Sequence, residues 1–384
     1  MLVAGLRRLG FKNIAGCALA FGALLPAGAE TGVSEREIVI GQTITLQAGK
    51  NSYGTATQQG IKLYLDAVNA AGGVNGRRIV VRTLDDDNKT SQAEANARTL
   101  IEQGAFALFG SVEGGPSTAV MKVAVEKKVP FIGPMAGSPG LRRPFEAMVF
   151  PVRAEHREEF RALMAWGRSV GLRTVGFLHA DSATGQEHLQ NVKLLAGELG
   201  LEVSLPVPFK SDITEAQIDA IVARLGEVRP DMFFNHGSAA VYEKLVAKAK
   251  RAGLRTSFMG VNSGSSQIAK GLGPLAQGMV FAQVVPSPWE RKREITREYQ
   301  DAARKADPKA EFSYGALEGY LTAKALVTAL RGVGRDLTRD GLVRWFEGAS
   351  FDLGGVRVQY APGEHVGSRF VDLSMVDREG RFIH

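Results

Sequence analysis

The chain is built from short apolar, β-branched runs, each followed by a stretch with helical spacing, and this succession runs through twice. Ile38-Val39-Ile40-Gly41 reads as a strand; in the 59–71 segment that follows, Ile61, Leu65 and Val68 fall at i, i+4 and i+7, one helix stripe. Gly72-Gly73 stops that helix, and Asn75-Gly76 turns the chain into the strand Arg78-Ile79-Val80-Val81. A helix through Ala93, Ala97, Leu100 and Ile101, a strand at 106–110, a helix through Val120, Val123 and Ala124 and a strand at 129–133 complete the first round. The second round has helices at 160–170, 189–199 and 240–252, with strands at 174–178, 203–207, 231–234, 258–261 and 279–282. Strands separated by helices pair in parallel through crossovers, because a hairpin is not available to them. The expected class is therefore α/β, as two doubly wound, Rossmann-like lobes.

A length of 384 residues with 45% hydrophobic and 23% charged content provides for two such cores. No Ser/Pro-rich linker separates the halves, so the lobes are expected to join through short crossovers near 149–152 and 284–288. The helix 314–330 then returns to the first lobe, and 353–360 reads as a third crossover. On this reading 33–150 and 285–353 form lobe 1, while 151–284 and 354–384 form lobe 2. Two lobes joined by three short segments make a hinge with a cleft between them.

The first 29 residues read as an export leader. Arg7, Arg8 and Lys12 precede a charge-free stretch from Ile14 to Leu25, then Pro26 and the small residues Ala27-Gly28-Ala29, with cleavage expected before Glu30. Ile14-Ala15-Gly16-Cys17 has the look of a lipoprotein box, but Lys12 and Asn13 stand where its apolar stretch belongs, so lipid anchoring is not expected. Cleavage removes three cations and the single Cys, leaving a chain of net charge about +4 suited to an oxidising compartment, the periplasm. A lone Cys excludes an intrachain disulfide or a cysteine metal cluster, and no basic cluster interleaved with aromatics points to nucleic acid.

Several strings, in order, carry a resemblance: Gly72-Gly73-Val74-Asn75-Gly76-Arg77, Leu84-Asp85-Asp86, Phe109-Gly110, Gly133-Pro134, Leu141-Arg142, Val149-Phe150-Pro151-Val152-Arg153, Leu317-Glu318-Gly319-Tyr320 and Asp352-Leu353-Gly354-Gly355. From about Glu37 to the C-terminus the chain resembles type I periplasmic substrate-binding proteins of the leucine/isoleucine/valine-binding family, the ligand-capturing components of ABC importers. The resemblance implies a small-molecule ligand, a separately encoded membrane permease as partner, a monomer, and neither cofactor nor catalysis. It places the ligand's neighbours at Tyr53 in the first loop, at Glu113, Gly114 and Gly115 after the third strand, and at Met135, Ala136, Gly137 and Ser138 after the fourth. On the second lobe it places them at His156, Thr184, Gly237 and Asn262, with Asp181 near the site. Independently of the family, ligands in open α/β sheets sit beyond the carboxyl ends of the strands, and Gly110 to Ser117 runs from strand to helix with Pro116 at its start. Free amides at such a helix start would bind a carboxylate.

The family's ammonium-binding acid falls on Asn262, which accepts a hydrogen bond but neutralises no charge. A buried, unpaired ammonium is costly. This argues against a standard branched-chain amino acid and for another small carboxylate- or amide-bearing solute, with Glu113 and Asp181 as the acids available to substitute. Asp85-Asp86-Asp87-Asn88 lacks the spacing of a calcium loop, and His179, His188 and His236 lack paired metal-ligand spacing. No P-loop, G-x-S-x-G motif or dinucleotide fingerprint is present. Three other uses of the fold stay in view: a sensor signalling to a membrane receptor, a repressor, which needs a helix-turn-helix, and a secreted hydrolase, which needs a nucleophile–base pair.

Overall fold

The computed structural model describes residues 30–210 and 212–384, so the leader and its lipobox-like string lie outside the described residues. In the first lobe, β1 (Glu37–Ile44), α1 (Ser52–Ala70), β2 (Arg78–Asp85), α2 (Thr90–Glu102), β3 (Ala107–Phe109), α3 (Gly114–Lys127), β4 (Phe131–Ile132) and β5 (Val149–Phe150) alternate as expected. The strands form a parallel sheet of order β2-β1-β3-β4-β5. The second lobe repeats the pattern with α4 (His156–Ser169), β6 (Thr174–Ala180), α5 (Ala183–Leu199), β7 (Glu202–Phe209), α6 (Glu215–Val228), β8 (Met232–His236), α7 (Ala239–Arg251), β9 (Ser257–Gly260), α8 (Ser265–Leu272) and β10 (Val280–Gln283). Its parallel strands run β7-β6-β8-β9-β10. Both sheets thus reverse their winding between the first and third strands of the lobe, and there the crevice for a ligand opens.

The chain recrosses to lobe 1 after β10. There α9 (Glu294–Ala306), α10 (Tyr314–Val333) and α11 (Arg339–Phe346) pack, with α10 lying along α1. Next, β11 (Ser350–Asp352), β12 (Arg357–Ala361) and β13 (Glu364–Ser368) form a separate antiparallel sheet. Finally β14 (Asp372–Val376) pairs antiparallel with β10 and β15 (Phe382–Ile383) with β14. Here the expected boundaries shift. The 354–384 tail does not go to lobe 2 as one piece: Val356, Val358 and Tyr360 are buried in the lobe 1 core, and the third crossing falls at 369–371, between β13 and β14. The cause is the apolar alternation of β12, which seats Tyr360 against Phe150 and Phe346 while its hydroxyl donates to the Pro151 carbonyl (2.9 Å).

Buried Arg142 ties the hinge to the second ligand loop. It donates to the carbonyls of Ala136, Ser138, Arg153 and Val366, so one side chain holds that loop, the first crossing and β13 together. The α1–α10 crossing is closer than side chains allow. A Cβ on Gly60 would overlap the Ala316 carbonyl, and a Cβ on Gly319 the Thr57 carbonyl. This contact of backbone on backbone fixes how Tyr53 of α1 meets the inner face of α10.

We expect Gly319→Ala to cost about 2–4 kcal/mol in urea unfolding, because helix backbone must move to admit the methyl. Gly197→Ala, at a site in α5 with open space around it, should instead stabilise by about 1 kcal/mol.

Candidate functional site

The strand ends of the two lobes face one another across the hinge, and several polar groups there are buried. Arg153, at the first crossing, is 2% exposed. Its guanidinium donates to Glu159 Oε1 on α4 and stands 3.8 Å from Glu318 Oε1 on α10. Glu159, itself fully buried, has both oxygens taken: Oε1 by Arg153 and His156 Nδ1 (2.8 Å), and Oε2 by the backbone N–H of Asn262 (2.7 Å). Glu318 Oε2 accepts from the Tyr53 hydroxyl (2.5 Å) and from Asn262 Nδ2 (2.8 Å). Asn262 follows β9 in lobe 2, whereas Tyr53 and Glu318 belong to lobe 1, so this network bridges the lobes. At the cleft's edge Ser52 donates to Gln267 across the gap (3.2 Å). A cavity of about 50 Å3 lies beside it, lined by Tyr53, Ala56, Asn262, Ser265, Gln267 and Tyr314 among others.

Burial and pairing push these groups apart. Burial raises the Glu318 carboxyl above its usual value, and Arg153 only partly offsets this. Burial also opposes ionisation of Glu159, but Arg153 and His156 overcome it and hold that carboxyl below its usual value. Arg153 is in turn held more firmly charged than a free guanidinium, its carboxylate partners outweighing desolvation. Both shifts mean that Arg153 chiefly serves Glu159. The Tyr53 hydroxyl is pushed well up by burial and by Glu318 beside it, so it stays a donor.

The first ligand loop runs from β3 into α3. Ser111 and Ser117 hydrogen-bond to each other (2.7 Å), and Gly114 opens the helix against Ser138: a Cβ on Gly114 would stand 2.5 Å from Ser138 Oγ. That hydroxyl is buried and has no partner. Glu113 takes φ 63° and ψ 151°, a backbone region that disfavours side chains and costs about 1–3 kcal/mol. Its carboxylate is crowded by protein yet reached by solvent, and Asn51 Nδ2 donates to it (3.1 Å). Burial raises its pKa. In the second loop Gly137 abuts the His156 ring, and its carbonyl accepts the His156 backbone N–H (3.0 Å).

Of the residues expected at the site, Tyr53, Glu113, Gly114, Gly137, Ser138, His156 and Asn262 fall at this junction. Gly115 opens α3 beside them, half-buried Thr184 lies in the first turn of α5, and Gly237 follows β8. Two more turn only their side chains into the protein: that of Met135 packs into the lobe 1 core near Gly110, its backbone remaining in the second loop, and Ala136 is buried with its carbonyl on Arg142. Asp181, just past the end of β6, lines a groove with Lys210, Asp212 and Gln217. Asp85 and Asp86 cap their own turn, accepting the N–H groups of Asp87 and Asn88. Missed by the sequence reading were Glu159 and Glu318, although Leu317-Glu318-Gly319-Tyr320 had drawn notice for its resemblance. For Glu318 the available signal was a lone acid in the largely apolar helix α10; nothing along the chain set Glu159 apart from its neighbour Glu158.

Two histidines, His188 and His236, pack into the lobe 2 wall behind His156. Ring centroids are 3.7 Å apart for His188–His236, 4.9 Å for His156–His236 and 5.3 Å for His156–His188. Among the described residues no group of three His, Cys, Asp or Glu is disposed to hold a metal ion. Both His188 ring nitrogens and His236 Nδ1 lack partners.

Lobes of this topology, closing on a polar junction at their strand ends, define the two-lobed type I binding-protein class. A model of the periplasmic binding protein family matches residues 37–381, and the chain belongs to that family. It is 24% identical over 233 residues to a leucine-, isoleucine-, valine-, threonine- and alanine-binding protein of Pseudomonas aeruginosa, covering 59% of this chain and 61% of that protein, less than two thirds of its length. It is 22% identical over 294 residues to a Leu/Ile/Val-binding protein homolog of Brucella suis, covering 75% and 78%. A substrate-binding periplasmic protein from Ralstonia solanacearum superimposes with TM-score 0.80 at 25% identity, over 90% of this chain and 99% of that one. An ABC-transporter solute-binding protein from R. palustris in complex with benzoate shares the fold at 19% identity, with TM-score 0.77 over 90% and 95%.

The histidine cluster gives a pH signature. Burial and the neighbouring His156 and His179 lower the pKa of His188 and His236 in the folded state, with Arg153 also acting on His236. The unfolded chain, with ordinary histidines, therefore takes up protons first. Stability is full above about pH 6.5 and is lost as pH falls below it, by up to about 1.4 kcal/mol per pH unit for each histidine. In urea unfolding from about pH 7.5 to 5, His188→Phe should show a shallower loss than the wild-type protein; parallel curves would contradict this.

Proposed function

We propose that this chain is the extracytoplasmic solute-binding component of an ABC importer, capturing a small polar solute, amino-acid-like or bearing a carboxylate or amide, between its lobes. The observation that carries the reading is the meeting of Tyr53 and Glu318 with Asn262 from the opposite lobe, beside a cavity to which both lobes contribute. A polar junction that exists only when two lobes come together is the physical basis of a ligand-gated closure.

The amides opening α3 at Gly114 and Gly115, with the free Ser138 hydroxyl beside them, suit a carboxylate or carbonyl oxygen. Tyr53, His156, Thr184, Gly237 and Asn262 complete the walls, and Glu113 lies at the rim. The closed form would dock on a membrane permease through the outer faces of both lobes, since only a surface spanning both senses closure. The leader-like first 29 residues support a periplasmic location, and no described helix is long and apolar enough to cross a membrane. The relatives named for branched-chain amino acids, and the benzoate complex, support small carboxylate-bearing solutes as a class.

Thermal-shift screening against amino acids, amides, aromatic acids and short dicarboxylates tests this directly. A true solute at a hundredfold excess over its Kd adds about 2.7 kcal/mol of stability, so the melting temperature should rise by about 5 °C or more. Asn262→Ala should weaken that solute's binding by about tenfold or more. A panel with no hit, or a hit indifferent to Asn262→Ala, would contradict the proposal.

A further inference from the structure

The charges gathered at the junction do not balance. Glu113, Glu159 and Glu318 face the single guanidinium of Arg153, and counting His156 as a cation still leaves the carboxylates in excess. Each acid meets this differently. Glu113 is open to solvent and accepts from the Asn51 amide, and Glu159 has three contacts on its two oxygens, from Arg153, His156 and the Asn262 backbone. Glu318 alone, 0% exposed, keeps an oxygen without a hydrogen bond: Oε1 has Arg153 Nη1 at 3.8 Å, close enough to feel its charge and too far to receive its hydrogen. Asn262, hydrogen-bonded to the same carboxylate through Nδ2, likewise leaves its Oδ1 buried and unpartnered. Two unpartnered buried acceptors, on side chains hydrogen-bonded to each other through their other atoms, are each costly until a donor reaches them.

We infer that Glu318, from lobe 1, supplies the counter-charge that Asn262 does not, and that the free oxygens of Glu318 and Asn262 select a solute carrying an ammonium or comparable cationic N–H group. The inference rests on the solute-binding reading and narrows it. One acceptor comes from each lobe, so the cationic group is fully satisfied only in the closed form, and binding is coupled to closure. The carboxylate-only solutes considered on sequence grounds would add to the excess negative charge instead of relieving it.

The test uses matched triplets on the full mature chain: leucine, 4-methylpentanoate and 3-methylbutylamine, and phenylalanine, 3-phenylpropanoate and 2-phenylethylamine, by thermal shift and then calorimetry. At least one amine-bearing member should bind about tenfold or more tighter than its deaminated partner. Glu318→Gln should erase that ratio while leaving the ligand-free melting temperature unchanged or higher, because it removes a buried charge that is only partly paired. A merely structural Glu318 would lower the melting temperature and leave the ratio intact. Asn262→Leu, which deletes the other acceptor, should also erase the ratio, and it carries the test should the glutamine variant misfold. Equal or tighter binding of the deaminated acids overturns the inference and leaves the solute-binding reading standing. Absence of binding by every member counts against both.

Discussion

A guanidinium sealed inside the hinge organises this molecule. Arg153 is nearly inaccessible, and it sits where the chain first crosses between lobes, paired to Glu159 on the second lobe and near Glu318 on the first. Desolvating such charges costs several kcal/mol per ion, which attraction repays only where geometry and further hydrogen bonds are good. Here they are good for Glu159 and incomplete for Glu318. That inequality is the site's chemical character: one pair is settled and serves as scaffold, while the other acid is left wanting a donor. The junction is therefore poised for a guest in a way that a fully paired network would not be.

The scaffold delivers these groups through backbone contacts. Gly60 and Gly319 let α1 and α10 touch backbone to backbone, and that closeness puts the Tyr53 hydroxyl on Glu318. Arg142 does the equivalent work at the hinge, gathering carbonyls from the second loop, the first crossing and β13. The two sheets have the same winding, so each lobe presents its strand ends, and the loops that follow them, towards the other. Strain is localised as well. The positive φ of Glu113 holds its carboxylate at the mouth of α3.

Most of the fold was legible because periodicity is a local property. Much of the strand-helix rhythm from Ile38 to Ala282 translated into elements with displaced ends, as at α1, which begins at Ser52 under an Asn51 cap, ahead of its apolar stripe, but α6 and α8 were not among the expected helices. The third crossing was misread because Val356, Val358 and Tyr360 would suit the core of either lobe, and only the packing partners Phe150 and Phe346 decide which. At the site, glycines and loop hydroxyls after strands were visible, since their chemistry is written in the turn. Glu159 and Glu318 were not, because an acid within a helix looks solvated until the surface opposite it is known. The histidine cluster draws on α4, α5 and β8, so no spacing along the chain advertises it.

The account's central claim is that the two lobes come together over this junction and that a solute completes it. Spin labels placed by Lys62→Cys on α1 and Lys270→Cys on α8, both exposed and on opposite lobes, would report the distance between lobes by pulsed electron–electron resonance in protein begun at Glu30, which has no other Cys. The predicted result is a broad distribution without solute that collapses to one short distance when a binding solute is added. An identical distribution with and without saturating solute would contradict it.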